Sequence, residues 1–166
     1  MTCSINNYAT LQKTDCMIGK LTDEQIEEVL NENVLGRIGC SDGKKIYVVP
    51  INYAYDGKSV IAHSSLGMKI EMMRQNPKVC FEVDNMKSFT NWKSVIAWGE
   101  YQEIKNERDR YLALKLFVDR LMHVKISSTA VFSETEAGRI HPASVTIKPV
   151  VYRIILTEKS GRFEND

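Results

Sequence analysis

Residues 46–69 read IYVVPINYAYDGKSVIAHSSLGMK, and the fold turns on this stretch. Two apolar runs, 46–55 and 59–64, flank Asp56-Gly57-Lys58. Asp-Gly between such runs is a hairpin signal, because glycine accepts the positive φ that a tight turn needs. Residues 34–40 form another short apolar run, joined to the hairpin through the turn Ser41-Asp42-Gly43, which predicts a three-strand meander. Pro50 interrupts the middle run. Proline cannot donate to a strand ladder, so it belongs at an edge, a bulge or a gap, with neighbouring peptide groups free for a ligand.

Working outward, residues 67–76 read as a helix with Ile70 and Met73 on one face, stopped by Pro77. Residues 78–83 are strand-like. Residues 93–104 alternate, with Val95, Ala97 and Tyr101 on one face and Ile96, Trp98 and Ile104 on the other. A strand apolar on both faces needs cover on both, which a small barrel or a dimer interface supplies. Residues 108–122 are the longest helical pattern, with Tyr111, Leu114, Phe117, Val118 and Leu121 expected as its core stripe. Before the meander, Thr22 and Gln25 have capping-box spacing and Ile26, Val29 and Leu30 follow at helical period, so a short helix should run to Asn31. Residues 123–143 are a long polar connection carrying His123 and His141, expected at the surface, and 144–156 close the chain as a strand. About six antiparallel strands with flanking helices predict an α+β domain, mainly β, built on a closed barrel. The expected division is a polar arm at 1–20, the domain at 21–157 and a tail at 158–166.

Length and composition narrow the function. A chain of 166 residues supports one core. Its 22 Lys and Arg balance 21 Asp and Glu, so no global field draws in nucleic acid or an anionic membrane. No apolar run reaches the roughly 20 residues of a membrane span, and the N-terminus lacks signal-peptide character, so a cytoplasmic protein is expected. Cys3, Cys16, Cys40 and Cys80 show neither paired spacing nor a pattern with histidine, which indicates reduced thiols and no metal site. Glycine-rich nucleotide fingerprints are missing too. A phosphate site would have to be built differently.

One candidate is the entry to the second helix. Ser64, Ser65 and Gly67 lead into it, and Lys69 sits in its first turn, where the helix dipole opposes a cation. A bound anion reverses that penalty, and free N–H groups, two hydroxyls and one ammonium make a monophosphate cradle. The plain alternative is that Ser64 or Ser65 caps the helix while Lys69 reaches into solvent. Both remain open from the residues alone.

The order VVPINYAYDGKSVIAHSSLGMKIEMMRQNPKVCFEVD, followed by NWKSVIAWGEYQEI, resembles the flavin-binding split-barrel superfamily of pyridoxamine-phosphate oxidase, and within it the nitroimidazole-resistance (nitroimidazole reductase) branch. The resemblance spans residues 21–156. It implies a six-stranded antiparallel split β-barrel with flanking helices, forming a homodimer with two flavin sites at its interface. By matching position, Val49, Pro50, Ile51 and Asn52 run beside the isoalloxazine ring. His63 and Ser64 lie near the ribityl chain and phosphate, and Lys69 is a phosphate ligand. Ser94 reaches the ring from the other side or the other subunit. Met68 stands where pyridoxamine-phosphate oxidase has an arginine, and that enzyme's arginine-rich C-terminal segment has no counterpart. Vitamin B6 oxidation is therefore not expected.

The resulting expectation is an oxidoreductase carrying FMN or FAD, reduced by a nicotinamide cofactor or another donor and passing electrons to a small aromatic or nitro-aromatic acceptor. His63 is the candidate catalytic residue, since imidazole titrates near neutrality. Trp92 is assigned to the site and Trp98 to interface packing. Tyr53 and Tyr55 are expected to pack, with Tyr53 able to approach the ring. The alternative is a non-catalytic flavin- or haem-binding module.

Overall fold

In the computed structural model, which describes residues 18–122 and 149–165, Thr22 opens the first helix through a reciprocal cap. Its hydroxyl accepts from the Gln25 N–H at 3.3 Å, and the Gln25 side chain accepts from the Thr22 N–H at 2.9 Å. Helix α1 (Asp23–Glu32) then buries Ile26, Val29 and Leu30, as the helical spacing requires. Strand β1 (Gly19–Lys20) precedes it. After it come β2 (Leu35–Ser41), β3 (Ile46–Asn52), β4 (Ala54–Tyr55), β5 (Ser59–Ser64), α2 (Met68–Gln75), β6 (Lys78–Met86), β7 (Trp92–Glu103), α3 (Glu107–Leu121) and β8 (Val150–Glu164). Gly43 and Gly57 both sit at φ 85°, so the two expected Asx-Gly turns form where the sequence placed them.

All eight strands belong to one antiparallel sheet, in the order β3-β2-β6-β7-β8-β5-β4 with β1 on β8. The two ends of that path, β3 and β4, are consecutive halves of one bent segment separated by Tyr53. The sheet thus curls until its ends meet through the chain itself. Counting the bent segment once and setting aside the two-residue β1 leaves the six long strands of a split barrel. Tyr53 makes the bend: its N–H donates to the Val34 carbonyl and its hydroxyl to the Leu30 carbonyl, both at 2.9 Å. Its fully buried ring meets Phe81 edge-on at 4.9 Å between centroids. It is a core residue and has no surface left for a ligand.

Two expectations need correction. Residues 158–164, expected as a tail, are the second half of β8, pairing with Trp92–Trp98 of β7 in register. That half is too polar to read as a strand because its close contact is made by a glycine: a Cβ on Gly161 would lie 2.8 Å from Leu21 Cβ. In α3 the buried line is Ala113, Phe117 and Leu121, with Leu114 half-buried beside it. Tyr111, expected in the core stripe, is 67% exposed because it stands about 120° round the helix from Phe117. In β7, Val95 and Ala97 are buried in the barrel, whereas Ile96 and Trp98 lie on the outer face about 40% exposed. Among the described residues nothing covers that outer face. No helix among the described residues is long and apolar enough to cross a membrane. Most of the predicted arm, and the polar connection with His123 and His141, lie outside the described residues.

Candidate functional site

β5 ends at Ser64, and after Ser65, Leu66 and Gly67 the chain enters α2. Neither serine caps the helix. Gly67 is the N-cap, no side chain bonds to the first turn, and the Ser64 hydroxyl donates instead to the Ser65 carbonyl at 2.9 Å. A Cβ at Gly67 would meet none of the described residues within 4 Å, so the described chain leaves the space before the helix open. The first N–H groups of α2 are thus left with positive partial charge facing an accessible region.

Lys69 adds a full charge there. It is half-buried, and no carboxylate among the described residues lies within ion-pair distance. Burial pushes its pKa down, and the nearby Cys40 thiol only partly offsets this. Glu71, the acidic residue of the same turn, is exposed. A half-desolvated cation at the positive end of a helix is unfavourable until an anion joins it. His63 precedes Ser64, half-buried, with its ring edge-on to Phe117 at 4.8 Å. Burial, and then the Lys69 charge, push its pKa down, so the imidazole is neutral at neutral pH.

The proline-bearing strand lies elsewhere. β3 ends the strand path, so Pro50 takes the edge position that its missing N–H demands. Pro50 is exposed and Val49 and Asn52 are half-buried, but Ile51 is 5% exposed in the barrel core, so only its main chain can face a ligand. Pro50 stands opposite Arg37, Arg37 opposite Glu82, and Asp84 opposite Ser94. That register builds a charged cluster: Arg37 pairs with Asp84 and, at 3.6 Å, with Glu82, while the Ser94 hydroxyl donates to Glu82 at 3.4 Å. Burial, and next Asp84, push the Glu82 pKa up. Beside the cluster runs a groove of about 520 Å³ floored by Gly39, Val48, Cys80 and Trp98. Val48 is 62% exposed there.

Trp92 stands apart from the cradle. Its indole N–H donates to Glu164 at 2.8 Å. Along β8, Ser64 is opposite Val150 and Trp92 is opposite Glu164, at the two ends of a 15-residue strand. Their separation along the strand is about 45 Å at the usual rise. Trp92 and the cradle therefore lie at opposite ends of β8. The predicted residues therefore fall into the cradle (His63, Ser64, Ser65, Lys69), the edge and outer sheet (Val49, Pro50, Ile51, Asn52, Ser94), and Trp92. Arg37, Glu82 and Asp84 were not foreseen, because nothing local in the sequence links positions so far apart and only strand register does. Cys40 and Cys80 are free thiols, while Cys3 and Cys16 lie outside the described residues.

A family model described as pyridoxamine 5'-phosphate oxidase matches residues 22–162. The solved structure of an FAD-binding protein from Mesorhizobium loti is 30% identical, with a TM-score of 0.70, the match covering 90% of this chain and 99% of that one. The solved structure of a candidate 5-nitroimidazole antibiotic resistance protein from Bacteroides thetaiotaomicron is 20% identical with a TM-score of 0.66, covering 89% and 87%. At that identity the likeness is one of fold. A curated relative, an uncharacterized protein of Rhizobium meliloti, is 37% identical over 84 residues, which is 51% of this chain and 56% of the relative's length.

Proposed function

The chain belongs to the pyridoxamine 5'-phosphate oxidase family, and from that premise we propose that it is a cytoplasmic, flavin-dependent oxidoreductase that reduces small aromatic or nitro-aromatic compounds. The observation that carries this reading is the start of α2, uncapped by any described side chain and holding the half-buried Lys69 with no carboxylate partner among the described residues. A phosphate placed there satisfies the first-turn N–H groups and supplies the missing counterion in one step. The FAD-binding relative at 30% identity supports a flavin as the bearer of that phosphate.

In this reading Lys69, Ser64 and Ser65 hold the phosphate, and the free edge of β3 from Val49 to Asn52 runs beside the ring. Bound flavin supplies the electron transfer, from a nicotinamide cofactor or another donor to the acceptor. His63, neutral near pH 7, accepts a hydrogen bond or takes up a proton at the ribityl end. Met68 leaves the cradle with one cation in its first turn, which fits a substrate other than vitamin B6. A second copy of the chain covers the outer face bearing Val48, Ile96 and Trp98 and brings its Trp92 and Ser94 to the ring. The length of β8 between cradle and Trp92 supports such a two-chain site.

The test is direct. Purified protein should be yellow, and anaerobic addition of a reduced nicotinamide cofactor should bleach it, with colour returning on addition of a nitro-aromatic acceptor. Retained flavin with no turnover over a broad acceptor panel would leave a carrier module instead. A colourless protein that takes up neither FMN nor FAD overturns the flavin itself.

A further inference from the structure

The middle of the outer sheet face holds a charged cluster among apolar side chains. Strand register sets Arg37 beside Glu82, Glu82 beside Ile96 and Asp84 beside Ser94. Arg37 serves both carboxylates, pairing with Asp84 and, at 3.6 Å, with Glu82. One guanidinium neutralises one carboxylate, so the cluster keeps a surplus negative charge. The Ser94 hydroxyl reaches Glu82 at 3.4 Å, long for such a bond, and brings no charge.

The other titratable groups around Glu82 leave that surplus in place. On its own strand, burial pushes the Cys80 thiol up, so it is neutral, and Lys78 stands about 13 Å away along β6, opposite Glu100. Beneath the sheet, burial keeps the Tyr53 phenol protonated. On β8, Arg162 is exposed and lies opposite Ser94, one strand beyond. Neither Lys78 nor Arg162 is within ion-pair distance of Glu82. In a single chain water still reaches the two carboxylates, whose side chains are 31% and 27% exposed. A second copy laid on this face removes that water, and an unbalanced charge then becomes strongly unfavourable. A proton on one carboxyl relieves it. Arg37 holds Asp84 the more closely, which leaves Glu82 to take the proton. Protonated Glu82 still accepts from Ser94, and Arg37 and Asp84 remain as a balanced pair.

We propose that Glu82 is a proton-binding site that couples assembly to pH: each chain takes up one proton there when its outer face is covered, so acid favours the two-chain form. The inference rests on the two-chain reading of this face and adds its control. Burial, and next Asp84, push the Glu82 pKa up in the single chain, and covering the face pushes it further. The dimer therefore holds protons at pH values where the single chain has lost them. Association tightens as pH falls through the covered pKa and levels off below the single-chain one. A further shift of one pKa unit at both carboxyls is worth about a hundredfold in the association constant.

The experiment measures association of the full chain, as purified, by fluorescence-detected sedimentation at nanomolar concentration. Where dilution does not separate the chains, subunit exchange between two differently labelled preparations reads the same difference. The natural chain should associate at least about tenfold more tightly, or exchange at least about tenfold more slowly, at pH 5.5 than at pH 8. Glu82→Gln keeps an acceptor for Ser94 and mimics the protonated carboxyl, so at pH 8 it should match the natural chain at pH 5.5 and respond little to pH. Asp84→Asn removes the neighbouring negative charge and leaves Arg37 to Glu82, so it should move the transition to lower pH, and it reports even if Glu82→Gln fails to fold. Association in the natural chain that ignores pH or weakens in acid, or a pH dependence that survives Glu82→Gln, overturns the proton site and leaves the two-chain reading standing. A chain that stays monomeric at every pH and at micromolar concentration overturns both.

Discussion

Replacing Lys69 with methionine removes the ammonium and keeps nearly all of the side chain's volume, so it isolates charge. In the flavin-free protein that charge is a burden. Burial lowers the Lys69 pKa, meaning that the native state binds the lysine proton less well than the unfolded chain does. Below both pKa values the native state bears the whole penalty, and stability recovers only as pH rises through the folded value towards the unfolded one. At pH 7 Lys69→Met therefore removes an unfavourable term, and the flavin-free variant should melt at the same temperature as the natural protein or higher. Flavin binding moves the other way. A hydrogen bond to a charged group contributes about 1.5–3 kcal/mol, so losing the one to phosphate should weaken FMN and FAD alike by about 10- to 150-fold. Differential scanning calorimetry of the stripped protein and fluorescence titration read the two effects separately. A variant that melts lower yet binds flavin unchanged would show that Lys69 supports the fold and that the phosphate sits elsewhere.

His63 has a pKa pushed below its ordinary value, so acid favours the unfolded chain, which takes up the proton that the native imidazole resists. Stability of the flavin-free protein should decline as pH falls below about 6.5, and His63→Gln should flatten that limb in urea midpoints measured at pH 5 and 7. Placing a carboxylate on the uncovered outer face with Trp98→Glu should halve the mass seen by sedimentation equilibrium and release the flavin; an unchanged dimer would move the interface to another face. Gly161→Ala forces a Cβ to within 2.8 Å of Leu21 and 2.9 Å of Ile26, and should cost about 1–3 kcal/mol in urea unfolding, an effect that a loose tail at this position could not produce.

The local grammar of the fold was open to reading in the residues themselves. Thr22 and Gln25 set the capping box, Gly43 and Gly57 took the turns, and Pro77 ended α2, because each of these outcomes depends on chain neighbours only. The missing donor of Pro50, a property of one residue, called for an edge, a bulge or a gap, and the strand order supplied the edge. The polar half of β8 escaped notice because its pairing with β7 supplies what its own composition lacks, and Tyr111 was misplaced because the barrel touches only a narrow line of α3.

The site divides in the same way. Residue order alone marked Ser64, Ser65 and Lys69 as a possible cradle but left a plain capped helix open and slightly ahead of it, since capping depends on where a hydroxyl points. Tertiary structure decided the capping by turning the Ser64 hydroxyl to the Ser65 carbonyl, and it half-buries Lys69 with no counterion among the described residues. Strand register, which no short stretch of sequence encodes, brought Arg37, Glu82, Asp84 and Ser94 together and set Trp92 at the far end of β8. Short-range chemistry is written in the order of residues, whereas which distant groups share a site is settled only when a curled sheet brings its strands into line.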